Sequence, residues 1–180
     1  MRKRKSNEKG FTLIEVIVTL VLVGIMAALA GMWIVSVVNG YIFTKMNADT
    51  VQKAQLAMTR LTMEFTRIKT VDATTAGPDT QINYTRTGPS GTPISGIVKI
   101  DRASKLLQLQ LFDDKGTALT PLATLTDAVD SFTLAYCNDV TTACQMGWLP
   151  GSKIIEITLT LMGANNTTSA FTKRVTPRYL

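Results

Sequence analysis

The first candidate for chemistry is Glu15, an acidic residue at the edge of a long apolar segment. Residues 16–44, which follow it, contain no charged side chain. Placing a carboxylate in the hydrocarbon of a membrane costs about 2.5 kcal/mol or more, so such a residue usually has a functional role and a partner. The apolar segment contains no basic residue that could be this partner. Alternatively, Glu15 simply lies near the positive end of its own helix dipole.

Histidine is absent from the whole sequence. Its absence excludes Ser-His-Asp and Cys-His nucleophile pairs, HExxH zinc sites and histidine general bases. We therefore predict that the protein is not an enzyme and that it holds no cofactor and no metal.

Two other sets of residues have compositions found in binding sites. Residues 87–96 are rich in glycine, but they lack the Gly-Lys-Ser/Thr ending of a phosphate-binding loop, and their prolines remove backbone donors. We interpret them as a surface loop. Several acidic residues could bind Ca²⁺, but they lack EF-hand spacing, so we interpret them as solvated turn residues. They are Asp113, Asp114, Asp127, Asp130 and Asp139.

The apolar segment is preceded by a basic one. The net charge is +6, and residues 1–10 contain five basic residues and one acidic residue, which leaves +2 for the rest of the chain. Residues 16–44 exceed the roughly 20 residues that a helix needs to cross a bilayer. The positive-inside rule keeps the basic end in the cytoplasm and places everything after about Tyr41 on the opposite side. Signal-peptide cleavage near residues 27–30 is an alternative, but a signal peptide has a shorter apolar core.

Cys137 and Cys144 are the only cysteines of the sequence, and six residues separate them. They follow a predicted strand on the far side of the membrane, where an oxidising compartment favours disulfides. We predict a disulfide between them, with two free thiols or a pair of metal ligands as alternatives.

Beyond Gly40 the apolar pattern becomes periodic. Apolar residues recur at spacings of three and four with charged residues between them, which predicts an amphipathic helix. The apolar stripe consists of Val51, Ala54, Met58, Leu61, Phe65 and Ile68. We expect the helix to continue from the membrane segment to about Val71, before the helix-ending residues 74–78. Packing on downstream strands is favoured over a coiled-coil partner, because only about three heptads follow the pattern.

The second half of the chain alternates apolar and polar residues, as is typical of half-buried strands. The predicted strands are residues 81–87, 94–101, 107–111, 132–136, 155–161 and 169–176, with turns at residues 113–116 and 163–166. The predicted fold class is α+β. One long N-terminal helix, first transmembrane and then amphipathic, packs on an antiparallel β-sheet of four to six strands.

The amino-terminal segment resembles the cleavage and methylation segment of type IV pilins and of the pseudopilins of type II secretion. The resemblance rests on the basic leader, Gly10, the aromatic Phe11 and the position of Glu15 in GFTLIEVIVTLVLVGIMAALAG. It implies that a prepilin peptidase of the inner membrane cuts between Gly10 and Phe11 and methylates the new amino terminus. It also implies that Glu15 of one subunit neutralises the Phe11 amine of a neighbour as the helices assemble. The predicted helix and sheet agree with the pilin fold.

These inferences divide the chain into four parts. Residues 1–10 are a cytoplasmic leader that is removed, and residues 11–41 are a transmembrane and filament-core helix. Residues 42–72 are an amphipathic helical half, and residues 73–180 are a periplasmic β-sheet domain.

The predicted function is that of a minor pilin or pseudopilin, a structural subunit that leaves the inner membrane for a periplasmic or cell-surface filament. Residues 154–161 and 176–180 are similar to the J-type minor pseudopilins and related minor pilins. The expected partners are other pilin or pseudopilin subunits, the prepilin peptidase and the inner-membrane assembly platform, and no nucleic acid. The alternatives are a major pilin subunit and a membrane-anchored periplasmic binding or sensor module.

Overall fold

The computed structural model describes residues 10–72, 81–88, 91–139, 141, 143–149 and 151–178. The chain divides into two compact units, Met1–Thr44 and Lys45–Leu180. Apart from Gly10, the predicted leader lies outside the described residues, and so do the helix-ending residues 74–78.

Helix α1 extends over Leu13–Phe65. In the first unit its side chains are exposed on every side, and most of them are apolar. Helix α1 is long and apolar enough to span a membrane. In the second unit the helix buries one face, which consists of Thr50, Ala54, Ala57, Met58, Leu61, Glu64 and Phe65.

The buried face differs from the predicted stripe at its beginning. Val51 was expected to be buried but is 40% exposed, and Thr50 is buried instead. Thr50, Ala54, Ala57 and Leu61 follow one another at helical spacings of three and four, so they share one face of the helix. Val51 lies next to this face of the helix and not on it.

Helix α1 ends at Phe65, earlier than the predicted end near Val71. Strand β1, Ile68–Val71, follows it and pairs with the next strand. The β-branched residues Ile68, Thr70 and Val71 favour extended backbone over helix. The part of the chain predicted as a helical half, residues 42–72, therefore contains the end of the helix and the first strand.

The described strands form two antiparallel sheets, where the sequence predicted one sheet of four to six strands. The first sheet has the order β1, β2 (Gln81–Thr87), β3 (Pro93–Asp101), β4 (Leu106–Phe112) and β5 (Ala123–Thr126). The second has the order β6 (Val129–Cys137), β7 (Ile154–Met162) and β8 (Thr168–Val175). The α+β class with one long helix on antiparallel β-structure is confirmed.

The predicted loop at residues 87–96 is shorter in the structure. Thr87 ends β2 and Pro93 begins β3, so part of the predicted loop belongs to strands. The Gly88 N–H donates to the Thr92 carbonyl at 2.8 Å and closes the hairpin. Part of the predicted loop therefore belongs to the hairpin that β2 and β3 form.

One apolar core joins the second half of the helix to both sheets. Alternate residues of the longer strands point into it, and full burial of an aliphatic side chain stabilises the fold by about 2 kcal/mol. Phe65 and Tyr84 meet edge to face, with ring centroids 5.8 Å apart. Gly96 lies opposite Tyr84 in the sheet, and a Cβ at this position would collide with the Tyr84 ring. The glycine thus makes room for a core aromatic residue.

Candidate functional site

The predicted cleavage and assembly segment lies at the start of helix α1. Residues 10–12 are not helical, and the helix begins at Leu13. The Thr12 carbonyl accepts hydrogen bonds from the N–H groups of Glu15 at 3.1 Å and Val16 at 3.3 Å. The Thr12 hydroxyl accepts a longer one from the Glu15 N–H at 3.4 Å. Thr12 therefore caps the helix.

The capping role of Thr12 was missed in the sequence, although its signal was present. Thr12 and Glu15 have the T-x-x-E spacing of a capping box, in which the cap hydroxyl accepts a bond from the N–H three residues later. A threonine cap stabilises a helix by about 1 kcal/mol relative to alanine. The pattern directly precedes the apolar segment, where a helix start is expected.

Glu15 lies in the first turn of helix α1, and it is exposed. An acidic side chain here interacts favourably with the positive end of the helix dipole, by about 0.3–1 kcal/mol. The interaction considered as the alternative role of Glu15 is therefore available within a single chain. The pair with Phe11 needs an amino group that cleavage must create and a second subunit, so this role remains a prediction.

The peptide bond between Gly10 and Phe11 lies outside the helix and is open to solvent. Phe11 is 80% exposed, and a Cβ on Gly10 would find no heavy atom within 4 Å. The chain itself thus has room for a side chain at position 10. Any requirement for glycine must come from a protein that binds this segment.

Cys137 and Cys144 form the predicted disulfide, so neither is a free thiol. Cys137 is buried at the end of β6, and Cys144 is half-buried in the segment that follows. Beside the disulfide, Tyr136 and Gln145 exchange backbone hydrogen bonds of 2.8 and 2.9 Å. Trp148 packs edge-on against Tyr136, with ring centroids 5.4 Å apart. The disulfide therefore holds the Trp148 segment against strand β6.

Reduction of the disulfide is expected to lower the free energy of unfolding by about 2.5 kcal/mol, the chain-entropy estimate for so short a closed loop. Urea unfolding of the full chain in maltoside micelles, followed by near-ultraviolet circular dichroism, measures the change. The double variant Cys137→Ala and Cys144→Ala should show the same decrease and should not respond to the reductant. An unfolding midpoint that does not move on reduction would contradict the prediction.

Glu64 is the buried acidic side chain of the described residues, with 3% exposure. Arg60, one turn earlier, places its guanidinium 3.0 Å from one Glu64 oxygen. Arg86 on β2 places its Nε 3.1 Å from the other oxygen, at an angle too poor for a hydrogen bond. The Tyr84 hydroxyl donates to this second oxygen at 3.5 Å. These contacts connect the end of helix α1 to strand β2.

Tyr84 acts only as a neutral donor in this cluster. Its burial raises the pKa of Tyr84 far above the ordinary value, and the negative charge of Glu64 raises it further. The hydroxyl therefore keeps its proton at any physiological pH. In the sequence, Glu64 is one of the charged residues between the stripe positions, and its partner on β2 is not visible in a local pattern.

Two of the acidic residues considered for Ca²⁺, Asp113 and Asp127, have other contacts. In the described part of the chain, no group of three or more Cys, Asp or Glu side chains is arranged to hold a metal ion. Asp113 accepts hydrogen bonds from the N–H groups of Lys115 and Thr117 at 3.0 and 2.6 Å in the turn after β4. Asp127 forms an ion pair of 2.9 Å with Lys53 on the helix. Both side chains of this pair are exposed, so it contributes little stability.

Residues 5–31 match the family model described as the prokaryotic N-terminal methylation motif. The matched range contains Gly10, Phe11 and Glu15. A search of the curated proteins finds no match to the chain. The motif and the apolar helix are consistent with a membrane-anchored single-pass protein, and the family implies a structural subunit that is processed and assembled with others. In its methylation motif and in its long helix on antiparallel sheets, this chain is similar to the type IV pilins and pseudopilins.

Proposed function

We propose that this chain is the precursor of a minor pilin or pseudopilin, a structural subunit of a type IV pilus or of a type II secretion pseudopilus. The observation that carries the proposal is the methylation motif, whose expected cleavage site lies just before the first turn of helix α1. A prepilin peptidase cuts the bond between Gly10 and Phe11 and methylates the Phe11 amine. The open, non-helical backbone at residues 10–12 supports access by a peptidase.

In this function each part of the chain has its own role. Residues 1–10 are the cytoplasmic leader, and residues 11–41 cross the inner membrane and later form the filament core. The end of helix α1, strand β1 and the remaining strands form the periplasmic domain. The inner-membrane assembly platform transfers the processed subunit to a filament of other pilin or pseudopilin subunits.

Apolar contacts alone do not define how the helices align in such a filament. Most side chains of residues 16–44 are apolar and are exposed on every side of the helix, and the hydrophobic effect has no directional preference. A charge pair between Glu15 and the Phe11 amine of a neighbour has a defined position, and breaking a buried pair costs about 3–5 kcal/mol. The pair therefore selects one alignment among many of similar apolar contact.

The choice of a minor subunit rests on the similarity of strand β7 and the C-terminal segment to J-type minor pseudopilins and related minor pilins. A major pilin subunit is the alternative within the same family. The fraction of this subunit in purified filaments distinguishes them, because a major pilin forms most of the filament and a minor one only a small part.

Intact-mass measurement of the protein purified from its native membrane tests the proposed processing. We expect the loss of residues 1–10 and one added methyl group at Phe11. Gly10→Val should remain uncut, because the peptidase must accommodate the new side chain. Gly24→Val is a matched control, since a Cβ there also has no heavy atom within 4 Å, and it should be processed normally.

A functional protein that still begins at Met1 would overturn this proposal and favour a membrane-anchored sensor or binding module. Equal processing of the Gly10→Val and Gly24→Val variants would place the cut elsewhere in the chain.

A further inference from the structure

We propose that a cleft beside the C-terminal end of helix α1 binds a phosphate group through three arginines. The cleft has a volume of about 650 Å³ and lies within the second compact unit. Its walls are the last turn of the helix, the end of β2 and the segment after β8. Its charged and hydroxyl-bearing lining residues are Arg67, Arg86, Arg178, Thr62, Thr66 and Thr87.

The cleft has more positive charge than its acidic neighbour balances. Arg67 and Arg178 are exposed, and within the described residues neither side chain forms an ion pair. Arg86 is only 8% exposed. It shares the single carboxylate of Glu64 with Arg60. Three guanidinium groups thus line the cleft, and the one carboxylate beside Arg86 is shared with Arg60, which leaves an excess of positive charge.

Arg86 gives the cleft a guanidinium in a fixed position. Its side chain is held between the helix and β2 by burial, and its Nε has no hydrogen-bond partner among the described residues. A buried donor without a hydrogen-bond partner is unfavourable, and the ion pair of Arg86 with Glu64 offsets only part of this cost. An anion in the cleft would place a second negative charge near this guanidinium. Because the Arg86 side chain is already fixed, it loses little conformational entropy when the anion binds.

The carbonyl groups at the C-terminal end of helix α1 do not offset the positive charge of the arginines. A helix C-terminus carries partial negative charge on its last carbonyl groups, which would repel an anion. Here the Thr62 and Thr66 hydroxyls donate to the carbonyls of Met58 and Thr62, both at 2.6 Å. The Arg178 N–H donates to the Thr66 carbonyl at 3.0 Å. Because these carbonyls are occupied and the hydroxyl protons of Thr62 and Thr66 are used, the charged donors left for a ligand come from the arginines.

Phosphate fits this set of donors better than a single carboxylate. Guanidinium groups bind both anions through paired hydrogen bonds, but three guanidiniums supply more charge than one carboxylate balances. A phosphate monoester carries a charge of about −1.5 to −2 and three acceptor oxygens. Met63, which is 51% exposed, lines the same cleft and offers an apolar contact. The ligand is therefore free phosphate or the phosphate group of a small ester.

Isothermal titration calorimetry of the full chain in maltoside micelles tests the proposal, with inorganic phosphate and glycerol 3-phosphate as probes at constant ionic strength. We expect saturable binding that the double variant Arg67→Gln and Arg178→Gln weakens at least about tenfold, because each charged hydrogen bond is worth about that factor. Arg102→Gln is the matched control, an exposed arginine in the turn after β3, and it should change the affinity by less than about twofold.

The two probes identify the source of the phosphate. Tighter binding of glycerol 3-phosphate indicates an ester as the ligand, and equal binding indicates free phosphate. Absence of saturable binding, or an equal loss in the Arg102→Gln variant, would overturn the proposal. The uncut precursor suffices for these measurements, so their failure leaves the proposed processing unaffected.

A purely structural role of the arginines makes a different prediction. Arginines near a helix C-terminus stabilise the helix without any ligand. In that case phosphate would not raise the urea midpoint of the wild-type chain, and the proposal would be wrong. If phosphate binds the folded state, we expect it to raise the midpoint of the wild-type chain and not that of the double variant.

Discussion

A Glu15→Val chain is expected to insert into the membrane normally and to enter filaments at least about a hundredfold less than the wild type. Valine suits a membrane helix, so insertion is not impaired. The variant leaves the Phe11 amine of a neighbouring subunit without a counter-charge among apolar helices, at a cost of about 3 kcal/mol or more. The ratio of sheared filament to membrane-bound subunit, measured by quantitative immunoblotting, gives the result.

Two variants in the same segment separate the charge pair from other effects of the substitution. Thr19→Val also replaces a polar residue of the helix by valine, and it removes only a hydroxyl that donates to the Val16 carbonyl. It should assemble normally. Thr12→Val removes the helix cap and keeps the carboxylate, so a similar loss of assembly in this variant would assign the effect to the helix end. Normal incorporation of the Glu15→Val chain would contradict the charge-pair role.

Replacement of Glu64 by glutamine is expected to lower the free energy of unfolding by about 3–5 kcal/mol, the cost of leaving a buried charge without its partner. Glutamine keeps the shape of the side chain but removes the acidic neighbour that Arg86 has among the described residues, and Arg86 is only 8% exposed. Arg60 is half-exposed and can turn to water. Urea unfolding of the full chain in maltoside micelles measures the change.

Glu156→Gln is the matched control for this prediction. Glu156 pairs with Arg174 at 2.6 Å, but the two side chains are 24% and 44% exposed, so water replaces much of the interaction. Its loss should cost less than about 1 kcal/mol. Changing both Glu64 and Arg86 to methionine should destabilise the protein less than Glu64→Gln does, because no unpaired charge then remains. Equal effects of Glu64→Gln and Glu156→Gln would contradict the role of burial.

The longer strands could be predicted from the sequence because each alternates over one buried face. Strand β2 has the predicted bounds, and the other five predicted strands differ by three residues or fewer at either end. The four-residue strands β1 and β5 are too short to show alternation. In β1 the buried residues Ile68 and Val71 are three positions apart. Three is also a helical spacing, so the predicted apolar stripe of the helix continued past the actual helix end at Phe65.

The division into two sheets could not be predicted, because the short connection between β5 and β6 carries no signal of a break in its sequence. Ala128 has a φ of 54°, in the left-handed region that alanine seldom adopts. Glycine or asparagine at position 128 would have indicated the end of a strand, whereas alanine does not. The chain leaves one sheet and begins the other at this point.

Some residues of the candidate sites could be predicted from the sequence, and others could not. Gly10, Phe11 and Glu15 form a continuous segment and could be recognised together, and Thr12 could have been recognised with them. The pair between Glu64 and Arg86 joins a helix to a strand, and the arginine cleft also includes Arg178 from the end of the described chain. Residues so far apart in the sequence meet only through the fold, so no local pattern indicates them.

The position of the Thr12 cap allows the chain to fold before the proposed cleavage. The cap and every hydrogen bond of the first turn lie after Phe11, so removal of the leader breaks none of those described here. The uncut chain can therefore reach its final fold before the proposed cleavage between Gly10 and Phe11. If cleavage occurs there, the peptidase sets the time at which assembly begins, and no refolding step delays it.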